Sequence, residues 1–443
     1  MVTKTIYMIL TDKNIFKKLG FILILAAPLD MFYIRNPVVN ISLYRATLII
    51  LFLFFLIRLF WTMKIKKSNK YVFIYINIFF LIFAWVNSKV PIQTKSIFLN
   101  ELMGLMLLFI FINIYEHSDI NLLINTYLVS LIVPIFFSGF VYYKFIMTGK
   151  MIEKITIFSS HTYEFDEWLI NRASIGSAMI PRLSLPYATP PVLGLTISIG
   201  IIVMLIKIIY SQKKLKLSYY LYFIVLLIIF LGTMARSIFL SLSTVIFLIL
   251  FFFKKKNKKN IFNWKVLIIL LIIFIVLYNF IIPEQVKTIL IEKVLSLSSV
   301  LDYNSSNRHL LLRLEGLNLW LENSGSFLVG RGMGAAEFIE GKLTYLAPYF
   351  FSPYLTALVE RGLLGFIAIF SIFFLILREL YVRNKVTHNL NDKILFFIMC
   401  NILIAFVFYE LRLILTTWIS LSIMCVSLQK PINYNLKKDF NND

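Results

Sequence analysis

The chain has 443 residues, 60% of them hydrophobic and only 15% charged, where a soluble protein carries about a quarter charged residues. Its mean hydropathy of +0.84, with repeated apolar runs long enough to cross roughly 30 Å of hydrocarbon as helices, excludes an ordinary soluble domain. The net charge of +22 gathers in short lysine clusters between those runs, a pattern that sets membrane topology rather than one that binds nucleic acid.

In chain order, Lys13, Lys17 and Lys18 precede the run "LGFILILAAPL". No small-residue cleavage site follows, so an uncleaved first span is expected. Length and flanking charge place spans at 17–34, 44–62, 71–87, 96–115, 122–143, 190–210, 218–234, 237–253, 265–282, 354–377, 394–410 and 413–428. The expected fold is therefore all-α, a single transmembrane domain over 1–443 with about twelve membrane helices. Alternation puts the clusters Lys64–Lys70, Lys213–Lys216 and Lys254–Lys259 on the cytoplasmic side. Arg378, Arg383, Lys385, Lys437 and Lys438 join them, which makes both termini cytoplasmic. Cys400 and Cys425 lie inside apolar runs and predict neither a disulfide framework nor a cysteine metal site.

The same alternation leaves two long segments outside, 144–189 and 283–353, and long loops are where function concentrates. The first carries "HTYEFDEW", 161–168, whose Glu164, Asp166 and Glu167 read best as a solvated face. It continues into "NRASIGSAMIPRLSLPYATPP", 171–191, with Arg172 and Arg182 near the next span. Proline restricts the backbone after Arg182 and fixes its position. The tight turn "GTMARSIF", 232–239, holds Arg236 at its tip, where a charge so close to the apolar phase points to function or to snorkelling towards lipid phosphates.

The second loop holds "NRHLLLRLEGLNLW", 307–320. Asparagine and serine at 304–307 supply N-caps for an amphipathic helix near 307–322. Leu310, Leu314, Leu317 and Leu321 share one face, turned to the membrane or to the bundle. His309, Arg313, Gly316 and Trp320 share another, flanked by Arg308 and Glu315. A cation at a helix N-terminus opposes the dipole, and an anion removes the conflict, so Arg308 and free N–H groups would suit a phosphate. The alternative is an interfacial helix whose arginines meet headgroups.

"FLVGRGMGAAEF", 327–338, follows, with Arg331 among three glycines that predict a close backbone turn. No βαβ unit surrounds it, which argues against a nucleotide loop. "FSPYLTALVERGLLG", 351–365, re-enters the membrane with Glu360 and Arg361, which need partners if buried. Glu410 and Arg412 sit at the outer end of the last hairpin. The four histidines show no metal-ligand spacing, so no metal is expected.

Several outer arginines with few carboxylates suit an anionic lipid-linked substrate. A sugar on a polyprenyl diphosphate fits: arginines stabilise the departing diphosphate and a base takes the proton of the attacking hydroxyl. The same arginines would also suit a lipid-linked glycan flippase or an anion transporter. Against that class, the notable charges cluster at outer span ends rather than mid-span, and no inverted repeat is visible.

"GTMARSIFLSL", 232–242, "NRHLLLRLEGLNLW…FLVGRGMG", 307–334, and "YLTALVERGLLG", 354–365, resemble segments of the bacterial O-antigen polymerases (Wzy type) and O-antigen ligases. "RLSLPYATPP", 182–191, is similar to their Arg…Pro pattern before a span. The resemblance implies an inner-membrane glycosyltransferase acting at the periplasmic face on undecaprenyl diphosphate-linked oligosaccharide, without cofactor. It implies a flippase and a chain-length regulator as partners. By it, Arg236 and Arg308 match arginines that hold the diphosphate; their places in the outer segments add Arg182 to that set, with Arg313, Arg172 and Arg331 as further substrate-binding candidates. Ligases of this family carry His-Asn before the Tyr-Leu pair, where this chain has Phe351-Ser352. That departure favours a repeat-unit polymerase over a ligase acting on lipid A core, and leaves His309, then Glu360 and Glu315, as candidate bases.

Overall fold

The computed structural model describes residues 13–29, 33–34, 41–62, 65, 70–89, 91, 94–148, 154–158, 161–164, 172–175, 178–181, 183–187, 189–210, 216–253, 305–335, 338–339, 342–343, 352–387, 389–409 and 415–429. Their helices are α1 (Lys13–Ala26), α2 (Leu43–Thr62), α3 (Lys70–Val86), α4 (Lys95–Ile114), α5 (Ile120–Ser130), α6 (Ile132–Thr148), α7 (Pro190–Tyr210), α8 (Leu217–Thr233) and α9 (Arg236–Phe253). After these come α10 (Ser305–Leu321), α11 (Ser324–Val329), α12 (Pro353–Thr387), α13 (Leu390–Phe408) and α14 (Leu415–Ser427).

The fold is helical, and among the described residues six segments are long and apolar enough to cross a membrane: Leu43–Phe60, Ile97–Ile114, His117–Phe145, Pro190–Tyr210, Pro353–Thr387 and Leu390–Phe408. Four shorter apolar helices, Tyr71–Val86, Leu217–Thr233, Arg236–Phe251 and Leu415–Ser427, match further expected spans. Of the other two expected spans, the first corresponds to the 14-residue α1, and 265–282 lies outside the described residues. Among the described residues, four short two-stranded antiparallel hairpins lie in the connections between helices. They are β1 (Tyr33–Ile34) with β2 (Ile41–Ser42), β3 (Lys154–Phe158) with β4 (His161–Glu164), β5 (Arg172–Ile175) with β6 (Ala178–Pro181), and β7 (Phe338–Ile339) with β8 (Lys342–Leu343). These connecting segments close their own backbone hydrogen bonds locally, which a chain outside a helix must otherwise do with water.

The chain divides into two compact units, residues 1–130 with 309–443, and residues 131–308. In the first, α4 packs against α2, α3 and α14, and α12 against α3, α11 and α13. Close approach comes from small residues, as is usual between membrane helices: a Cβ on Gly104 would fall 2.3 Å from the Trp418 ring. Polar ties join the same helices. Asn77 Nδ2 donates to Ala368 O at 2.9 Å, and Tyr354 OH to Leu403 O at 2.9 Å. Lys17 pairs with Asp119 at 2.7 Å, while Tyr115 OH donates to Lys17 O at 2.8 Å. In the second unit α7 packs on α8 and α9, and α6 on α8.

Candidate functional site

The first unit is built around an interrupted helix. In α12, Gly362 has φ +65°, ψ −172°, and the helical ladder stops there. A break strands backbone carbonyls that must find donors. The glycine loop 330–334 supplies them: Arg331 N donates to Val359 O at 2.8 Å and Gly332 N to Glu360 O at 3.0 Å. The loop reaches the end of α3 as well, with Met333 N on Ala84 O at 2.8 Å and Ser88 Oγ on Met333 O at 2.6 Å. Only glycine permits this seating. A Cβ at Gly332 would lie 2.3 Å from Asn87 O, and one at Gly362 would lie 2.3 Å from the Leu328 carbonyl carbon.

The side chains at the break are buried. Glu360 accepts from Gly334 N through Oε1 at 2.8 Å. Arg361 forms an ion pair with Glu101 of α4, the two side chains being 2% and 4% exposed. The requirement that Arg361 find a partner is thus met, by a residue that sequence reasoning did not single out. The signal for Glu101 was present: a lone carboxylate inside the apolar run 96–115 is costly unless paired.

From the loop the structure leads to α10. Asn323 caps α11, its Oδ1 accepting from Ser326 N at 2.8 Å. Trp320 stacks on Phe327, centroids 5.0 Å apart, and donates Nε1 to Phe327 O at 3.0 Å. Leu319 and Trp320 pack on Leu355 and Val359 of α12. Arg331 pairs with Glu322. Arg313 donates Nη2 to Val407 O, in the last turn of α13, at 3.0 Å, and burial pulls its guanidinium below the usual arginine range. The face bearing Arg313, Gly316 and Trp320 therefore packs on protein. Glu315 is exposed. Ser352, just before α12, is buried and donates its hydroxyl to Phe406 O at 3.3 Å.

The second unit holds the other arginine turn. Met234 adopts the left-handed conformation, φ +49°, which ends α8 and lets α9 begin at Arg236. Leu183 N donates to Gly232 O at 3.0 Å, and a Cβ on Gly232 would meet the Leu183 side chain at 2.6 Å and Tyr142 OH at 2.7 Å. So the backbone next to Arg182 is tied to the turn before Arg236, which is itself exposed.

The first unit thus brings Arg331, Glu360 and Arg361 to one place, with Arg313 on the packed face of α10. Arg236 belongs to the second unit. Arg308 and His309 stand near the start of α10, and Arg172 begins β5 opposite Pro181; their side chains lie outside what is described. Arg182, Phe351, Glu410 and Arg412 also lie outside the described residues.

Comparison with protein-family models and with curated proteins finds no match to this chain.

Proposed function

We propose that the protein is a repeat-unit polymerase for a surface polysaccharide of the O-antigen or capsule type, embedded in a bacterial inner membrane. About twelve spans with both termini cytoplasmic would put its site on the periplasmic face. The growing glycan leaves undecaprenyl diphosphate and joins the next lipid-linked unit. The acceptor hydroxyl oxygen bonds to the anomeric carbon, the bond to the diphosphate oxygen breaks, and the hydroxyl proton goes to a base. Undecaprenyl diphosphate departs with both electrons of the broken bond.

One observation carries this reading: the segments that resemble the polymerase family pair with one another, each pair within its own unit. The loop 330–334 is hydrogen-bonded to 359–360, and Leu183 to Gly232. Segments far apart in sequence become two rigid supports. Arg236, Arg182 and Arg308 hold the diphosphate, where fixed cations stabilise the developing charge. Arg172 adds positive potential, whereas Arg331, paired with Glu322, and Arg313, bonded to Val407 O, hold the first unit together. His309 or Glu315 accepts the proton, whereas Glu360, occupied by Gly334 N–H, holds the glycine loop in place.

The test is the surface polysaccharide ladder in a strain lacking this protein. Loss should leave single repeat units attached, and the wild-type chain should restore the ladder. Arg236→Ala and Arg308→Ala should each abolish polymer while the protein still inserts. Normal ladder lengths in both variants would overturn the site, and loss of all attached glycan in the deletion strain would replace polymerase by ligase.

A further inference from the structure

The helix α10 is too polar to be one of the apolar segments long enough to cross a membrane, yet it exposes a row of leucines. Leu314, Leu317 and Leu321 are 48%, 38% and 58% exposed. With about 3.6 residues per turn, residues 312–321 sort into three stripes. Gly316, Leu319 and Trp320 face the protein, where Leu355 and Val359 receive the last two. Leu314, Leu317 and Leu321 form a second stripe, bordered on one side by Arg313. Glu315 and Asn318, both exposed, form a third on the other side.

A surface helix of a soluble protein needs two faces, one for core and one for water. A third, purely leucine face calls for a third medium. We propose that α10 is an interfacial helix seated in the bilayer surface, with the hydrocarbon of membrane lipid covering Leu314, Leu317 and Leu321. Depth supports the same occupant. Arg313 is bonded to Val407 O in the last turn of α13. α13 has 19 residues, about 28 Å of helix, close to the roughly 30 Å of a hydrocarbon core. Its last turn therefore marks the edge of the apolar layer, and Arg313 holds α10 at that edge. Val407 is itself 44% exposed beside it, so span and leucine stripe present apolar surface at one level. The neighbouring polar stripe then runs along the headgroup boundary, as in helices that lie in the interface plane.

Fluorescence quenching on the full chain in phosphatidylcholine–phosphatidylglycerol vesicles tests this. A bimane probe is placed on Leu317→Cys, Leu321→Cys and Asn318→Cys, with the unsubstituted chain as blank for Cys400 and Cys425. Probes at 317 and 321 should lose most of their fluorescence to shallow-brominated lipid and little to aqueous iodide. The probe at 318 should show the reverse. Iodide quenching at 317 and 321 would overturn the proposal in favour of water, and quenching by neither agent would overturn it in favour of a covering protein. Leu314→Cys provides a further position on the same stripe, read by the same criteria.

Discussion

Two arginines sit at breaks between helical segments and have opposite surroundings. Arg361 lies beside the break in α12, 2% exposed and paired with Glu101. Arg236 lies at the start of α9, exposed, beyond a left-handed Met234. In sequence both are a lone cation near the end of an apolar run, next to a glycine-containing turn. The difference shows that an arginine in a membrane protein is not a ligand-binding group by position alone. One whose charge is met by a buried carboxylate is part of the scaffold. One held at the surface by a rigid turn can meet a substrate.

Four substitutions would break or sharpen that contrast. Arg361→Ala should have the largest effect, leaving Glu101 buried without its arginine at a cost of about 3–5 kcal/mol. The amount of folded protein recovered in detergent, and its melting temperature, would show it. The double change Arg361→Met with Glu101→Leu should recover much of the loss, since a buried pair often gives way to apolar residues of similar volume. If Arg361→Ala were as stable as Arg236→Ala, the contrast would collapse.

Gly362→Ala comes next. The positive φ alone costs about 1–3 kcal/mol, and the approach of Leu328 backbone to 2.3 Å of the new Cβ adds a clash that backbone must absorb. Thermal unfolding should report it, and a melting temperature equal to wild type would remove the need for glycine at the break. Trp320→Phe should be milder, about 1 kcal/mol for the lost bond to Phe327 O, with ring stacking kept. The smallest stability change belongs to Arg236→Ala, within about 0.5 kcal/mol as for most exposed positions, although polymer formation should be lost. A large fall in melting temperature for that variant would move Arg236 into the scaffold class.

Much of this arrangement is legible in sequence because the bilayer demands long apolar helices with charged flanks. The expected 96–115 and 190–210 meet Lys95–Ile114 and Pro190–Tyr210 almost residue for residue. Hydropathy averages over windows, however, and it passed across local breaks. The expected span 122–143 is divided at Leu131 between α5 and α6, where Pro134 has no N–H for the i−4 bond and its ring would crowd that carbonyl. The first helix likewise ends at Ala26, before Pro28, although the apolar run continues. In the other direction α12 runs on to Thr387, past the expected 377, because helix propensity continues where hydropathy falls. The tight seating of "GRGMG" was readable from its glycines. What it sits against was not, since Ala84 and Val359 come from other parts of the chain. The same holds for Arg361 and Glu101, 260 positions apart.

That separation bears on how the protein is made. A membrane helix enters the bilayer as it is synthesised, so α4 arrives with the Glu101 carboxylate long before Arg361 exists. During that interval the early helices carry an acid in an apolar run without its eventual arginine, and α12 later carries an interrupted ladder whose donors come from the loop just before it. Completion of the first unit is therefore tied to the arrival of its C-terminal third. A chain truncated before α12 would lack both the arginine that pairs with Glu101 and the carbonyls that seat the glycine loop.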